Sequence, residues 1–247
     1  MGRYLNPGNV KFEETLNSEI YVDKTESIIY LNTILKTEQK YVCVSRPRRF
    51  GKTIAANMLA AYYGRGESRE LFADRLIAGH ENWDKYINHF DVVRVVMTDF
   101  IKENKDVGES IEKMTKRILD DLSEVYPDVK YDSDDLFYSM DKFYRKSGVQ
   151  FVIIIDEWDV VFRVCKEDMK GQKVYLDFLR DWLKDQEYVA LAYMTGILPI
   201  KKYGQHSALN MFREFSIITP MQLAQYTGFT EEEVKDKCDE YNMHYED

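Results

Sequence analysis

Nine residues, Ser45-Arg46-Pro47-Arg48-Arg49-Phe50-Gly51-Lys52-Thr53, do most to limit what this chain can fold into. They follow an apolar run, Tyr41-Val42-Cys43-Val44, that reads as a strand, and they precede a helix-like run from Ile54 to Tyr63. A strand, a tight turn and a helix in that order aim backbone N–H groups and a helix dipole at one point, which is an anion site. Gly51 has no side chain, so the backbone there can approach phosphates closely. Lys52 is placed to reach the β- and γ-phosphates, and the Thr53 hydroxyl to bind Mg²⁺. One position departs from the pattern G-x-x-x-x-G-K-[ST]: its first glycine is Arg46. Pro47 fixes its own φ and biases Arg46 towards an extended backbone, so a proline-shaped turn can take the place of a glycine-permitted one. Gly-Lys-Thr also fits an ordinary turn opening a helix, and a second signal is needed to decide.

That signal lies about a hundred residues on. Phe151-Val152-Ile153-Ile154-Ile155 is a continuous β-branched run, the pattern of a strand buried on both faces of a parallel sheet. Asp156 and Glu157 follow at its carboxyl end, where sites lie in open α/β sheets. Asp156 is placed to hold Mg²⁺ and Glu157 to activate a water for attack on the γ-phosphate. Further strands are expected at Val92–Met97, Tyr188–Met194 and Phe215–Ile218. The expected fold is therefore α/β, a P-loop NTPase three-layer α-β-α sandwich on a mainly parallel five-stranded sheet. One strand between the loop strand and the acidic strand, with a Glu beside the Asp, matches the additional-strand, catalytic-glutamate branch of P-loop NTPases. Thr195 then stands where that branch has a polar γ-phosphate sensor, although a plain turn before Gly196 explains it as well.

Tyr21-Val22-Asp23-Lys24-Thr25, the loop itself, Ile155-Asp156-Glu157-Trp158-Asp159, Thr195-Gly196-Ile197 and Phe229-Thr230-Glu231-Glu232-Glu233-Val234 together resemble the bacterial AAA-ATPase-like family. The resemblance runs from about Asn9 to Val234. It implies that Arg-Pro-Arg-Arg-Phe-Gly-Lys is the family's usual loop, so Arg46 is a family trait. Trp158 stands where the family more often has Tyr. Members often carry a PD-(D/E)xK nuclease-like domain further on; the sequence stops at Asp247, and nuclease activity is not expected of it. The resemblance implies Mg²⁺-dependent binding and hydrolysis of ATP. Nucleotide contacts are expected from Arg48, Arg49, Phe50, Gly51, Lys52, Thr53 and Ile54, and metal contacts from Thr53 and Asp156. The expected catalytic residues are Glu157, Lys52, Thr195 and Arg213, the last as an arginine that offsets transition-state charge. Lys201, Lys202 and Asn210 are weaker candidates nearby. A nucleotide switch with little turnover is the alternative.

The net charge of −9 argues against indiscriminate nucleic-acid binding. Arg46, Arg48 and Arg49 still form a local basic patch, which reads as phosphate contacts or a solvated loop rim, or as a nucleic-acid or partner contact gated by nucleotide; besides nucleotide, a protein partner or another copy of the chain is expected. The three cysteines are isolated and show no paired spacing, which suits a reduced, cytoplasmic protein. The histidines lack metal-ligand spacing. Neither a signal peptide nor a membrane-spanning run of roughly 20 apolar residues is visible. No guanine-reading Asn-Lys-x-Asp occurs, which favours ATP over GTP.

Residues 1–220 are expected to form the AAA-ATPase-like domain and 221–247 a helical extension. Asp23 and Glu26 read as a capping box opening a helix to about Lys36, which explains them by itself; the resemblance implies that this segment lies near the nucleotide, along its base. Gly64 ends the helix after the loop. Gly108–Val125 and Leu136–Tyr144 read as helices. A further helix carries an apolar stripe of Val174, Phe178 and Trp182 with Tyr175, Leu179 and Leu183. Thr230 and Glu233 form a second capping box.

Overall fold

The computed structural model of the chain describes residues 2–103, 105–200, 208–216 and 221–245. Five strands form its sheet: β1 (Tyr41–Ser45), β2 (Asp91–Val96), β3 (Phe151–Asp156), β4 (Val189–Gly196) and β5 (Arg213–Phe215). Their spatial order is β2-β3-β4-β1-β5, and every neighbouring pair is parallel. β1 and β3 are thus separated by β4, and the carboxyl ends of all three lie together. The last strand begins at Arg213, two residues before the expected start, and Ile217 and Ile218 lie outside the described residues.

Helices cover both faces. On the chain path these are α1 (Val10–Leu16), α2 (Ser27–Ile34), α3 (Lys52–Tyr63), α4 (Arg69–Ala73), α5 (Val107–Val125), α6 (Leu136–Ser147), α7 (Val160–Val164) and α8 (Met169–Leu183), followed by a C-terminal helix, Glu231–Glu240. Because side chains alternate across a strand, β3 feeds two cores at once. Phe151, Ile153 and Ile155 enter the core shared with α5, α6 and α8, while Val152 and Ile154 enter the core shared with α2 and α3. All five are fully buried. Each contributes roughly 1.5–3 kcal/mol of transfer free energy. The unbroken apolar run in the sequence is the trace of this two-sided burial.

The caps explain several helix boundaries. Asp106 accepts from Glu109 N and Asp135 from Tyr138 N. At the other end of α6, Gly148 takes φ 69°, a conformation that favours glycine. Thr230 and Glu233 form the expected reciprocal capping box.

At Asp23 the expectation fails. The first helix residue there is Ser27, and Asp23 instead accepts from Thr25 N and Leu76 N, pinning the loop after α4. Glu26 pairs with His80 rather than reaching back to the backbone. The helix stops at Ile34, short of Lys36, because Leu35 is already extended. In α8, Tyr175, Leu179, Trp182 and Leu183 are buried, but Val174 faces solvent.

Candidate nucleotide site

The segment after β1 folds as a turn held at both ends. Arg46 N donates to Gly196 O at 3.1 Å, fastening the loop to the end of β4. Arg49 and Gly51 both take left-handed backbone, with φ of 68° and 69°. Such a conformation is disfavoured for a residue with a Cβ, so the turn depends on Gly51 even though a Cβ there would meet open space. Gly51 is the N-cap residue of α3, so the helix opens directly from the turn.

Lys52 is buried, and its Nζ donates to Arg46 O at 2.9 Å and Pro47 O at 2.7 Å. Its ammonium spans the mouth of the turn. Burial pulls the Lys52 ammonium down from the ordinary lysine value, opposed by the negative charges of Glu157, Asp156 and Asp159. Those carboxylates therefore stand within electrostatic reach of the loop.

Asp156, at the end of β3, is almost wholly buried. Its Oδ2 accepts from Thr53 Oγ1 at 2.8 Å and its Oδ1 accepts from Thr195 Oγ1. The three strand and helix ends thus converge on one carboxylate: Thr53 from α3, Asp156 from β3, Thr195 from β4. Arg94, in the middle of β2, brings a guanidinium nitrogen to 3.9 Å from Asp156 Oδ2. A lone arginine inside the run Val92-Val93-Arg94-Val95-Val96 was the readable sign of this, since a charge in a buried strand needs a carboxylate.

Glu157 follows with φ 58°, another left-handed residue. Arg163, on α7, donates to Glu157 Oε2 and lies 3.2 Å from Asp159 Oδ2. Asp159 is fully buried and accepts from Ile197 N and Leu198 N, the backbone that leaves β4. Sequence reasoning missed Arg163 and Asp159. Only their i, i+4 spacing hinted at a pair.

Arg48, Arg49, Phe50, Thr53 and Ile54 are exposed around the turn. Arg46 is buried, so of the three loop arginines only Arg48 and Arg49 can meet a partner from solvent. Burial also lowers the Arg46 guanidinium from its ordinary value. Arg213 lies on the edge strand opposite Val42 and donates to Tyr30 of α2, three strands away from Asp156. Asn210 is exposed in the turn before β5; Lys201 and Lys202 lie outside the described residues.

A cavity of about 330 Å³ adjoins the turn. Arg49, Phe50 and Gly51 form one wall, Tyr21 and Val22 another, and Tyr226 and Phe229 a third. Of the segment expected near the base, Lys24 lines this space, with Tyr21 and Val22 just before it. Gly228, with φ 81°, packs so tightly on Phe50 that a Cβ would come within 2.7 Å of its ring. Lys24 donates to Gln225 O at 2.6 Å and pairs with Glu233, tying the C-terminal segment to the same wall.

For Mg²⁺ the donor set fits. Thr53 and Asp156 offer a hydroxyl and a carboxylate already in contact, both hard oxygen ligands. Among the described residues no group of three or more His, Cys, Asp or Glu could hold a metal by itself. Mg²⁺ prefers one or two protein oxygens with substrate phosphates and water.

A five-stranded parallel sheet with helices on both faces and a Gly-Lys-Thr turn at its carboxyl edge is the architecture of a P-loop NTPase. Comparison with family models is more specific: residues 8–205 match the predicted AAA-ATPase family, AAA-ATPase-like. The chain belongs to that family. Comparison with curated proteins returned no match. Among the described residues no helix is long and apolar enough to cross a membrane.

Proposed function

We propose that the chain binds ATP at the 45–53 turn with Mg²⁺ and hydrolyses it, using the nucleotide state to control a partner. The observation that carries this reading is the convergence of Lys52, Thr53, Asp156 and Thr195 at one strand edge. Lys52 exchanges its two loop carbonyls for phosphate oxygens. The N–H groups opening α3 hold the phosphates. Thr53 and Asp156 hold Mg²⁺, which when bound neutralises charge on the β- and γ-phosphates. Thr195 keeps the Asp156 carboxylate oriented. Glu157 takes the proton of the attacking water. The cavity beside Phe50 and Tyr21 takes the base, since its aromatic and aliphatic walls suit a planar ring and its size fits a small-ligand pocket.

The test is steady-state ATP hydrolysis by Glu157→Gln. The expected loss in kcat is about 10²–10⁴-fold, the scale of a general base. An unchanged rate contradicts the assignment.

A nucleotide switch with little turnover is the second reading. It is favoured by the Phe50–Gly228 contact and the Lys24–Glu233 pair, which join the loop wall to the C-terminal helix. Equal affinity for a partner with ADP and with a non-hydrolysable ATP analogue counts against it.

A further inference from the structure

Arg46 stands where the usual loop pattern has glycine, and it is only 5% exposed. A buried charge needs a counter-ion, and a guanidinium cannot escape that cost by losing its proton. Yet Arg46 Nη1 has no hydrogen-bond partner among the described residues. Burial alone lowers the group from its ordinary value, and no carboxylate opposes the shift. The acids at this strand edge are engaged elsewhere. Asp156 accepts from Thr53 and Thr195, and Asp159 from Ile197 N and Leu198 N. Glu214, on β5, accepts from Ser45 Oγ at 2.9 Å and from Ile200 N at 3.0 Å. Lys52, in the same turn and 6% exposed, is different. Its ammonium has two loop carbonyls as acceptors, and Glu157, Asp156 and Asp159 act on it. The turn thus holds one compensated cation and one that is not.

The place of Arg46 along the turn says which anion supplies the missing charge. Arg49, Phe50 and Gly51, at the helix end of the turn, wall the cavity that takes the base, and Arg46 has no part in it. Arg46 lies at the strand end, with its N–H on Gly196 O and its carbonyl accepting from Lys52 Nζ. Gly196 follows Thr195 at the end of β4. A nucleotide with its base in the cavity and its phosphates over the opening of α3 therefore extends its terminal phosphate towards Thr195 and Arg46. We propose that Arg46 binds that terminal phosphate, and that the chain distinguishes ATP from ADP through it. This rests on the nucleotide lying over the turn as proposed above. A planar guanidinium can give two N–H donors to one phosphate, and an ammonium cannot match that fork. ADP leaves the fork unpaired and the buried charge uncompensated. Glycine at this position has no such group to offer.

The test is calorimetric titration of the wild type, Arg46→Met, Arg46→Lys and Arg46→Gly with ADP and with a non-hydrolysable ATP analogue, both with Mg²⁺. The readout is the ratio of the Kd for ADP to the Kd for the analogue. Arg46→Met keeps an unbranched apolar stem and removes the charge. Its ratio is expected to fall about tenfold or more, the scale of a hydrogen bond to a charged group, with the Kd for ADP nearly unchanged. Arg46→Lys, which keeps the charge without the fork, is expected to lose less. A wild-type ratio in Arg46→Met overturns the assignment and leaves nucleotide binding intact. So does a wild type that binds both nucleotides equally, or an Arg46→Met that weakens ADP as much as the analogue. Should Arg46→Met fail to melt cooperatively, Arg46→Gly, which restores the usual glycine, decides by the same ratio. A wild type that binds neither nucleotide sinks the nucleotide reading itself, and this assignment with it.

Discussion

Asp156 is the residue on which the site is assembled. Its two oxygens accept from hydroxyls of different elements, Thr53 on α3 and Thr195 on β4, and Arg94 brings positive charge from β2. A buried carboxylate stripped of a donor keeps its desolvation cost and loses the bond that offset it. Thr195→Val preserves the shape and removes the hydroxyl. The expected cost is about 1–3 kcal/mol of stability, read as a lower midpoint in denaturant with the slope unchanged. An unchanged midpoint contradicts this account of Asp156. The residue types here were legible: Gly-Lys-Thr, Asp-Glu after a buried run, and Thr-Gly after another. Arg46 was legible as a departure from pattern but not as a buried side chain, because nothing local places its guanidinium under the loop. Arg163 was not legible because its role is set by where α7 packs, which sequence spacing does not state.

At the scale of elements, the turn at 45–53 works because it is braced on three sides. β4 accepts its first N–H, α3 supplies the helix end, and the segment at 226–229 closes the wall by Phe50. β1, β3 and β4 were legible because residues buried on both faces are apolar almost without interruption, whereas β5 opens on Arg213 and Glu214 and was expected two residues late. The helices at 107–125 and 136–147 were legible from amphipathic spacing and caps. The Asp23 cap was misread because the same carboxylate that suits a helix start also suits a turn, and its second oxygen found Leu76 N instead. The Phe50–Gly228 contact joins residues far apart in the chain, and no local pattern encodes it. Gly228→Ala tests that contact. Its φ of 81° disfavours a Cβ, and the added methyl would lie 2.7 Å from the Phe50 ring. The expected outcome is about tenfold weaker binding of a fluorescent ATP analogue, with a loss of roughly 1 kcal/mol in stability. Wild-type affinity in this variant means that the C-terminal segment is no wall of the nucleotide site.

Over the whole molecule, one sheet carries two cores, and its carboxyl edge carries the site. The order β2-β3-β4-β1-β5 is what brings the loop after β1 beside the acids after β3, with β4 supplying Thr195 between them. The helices on both faces fix those ends in place, and the C-terminal helix is tethered to the loop wall through Lys24 and Glu233. The central claim is that a nucleoside triphosphate binds this edge through Lys52. Binding to the native state alone raises the unfolding midpoint by mass action. The most direct measurement is thermal unfolding of the wild type and Lys52→Ala, each with and without ATP–Mg²⁺ at about a hundred times the Kd. The expected rise for the wild type is roughly 5–11 °C, with little or none for Lys52→Ala. No rise in the wild type, or an equal rise in both, contradicts the account.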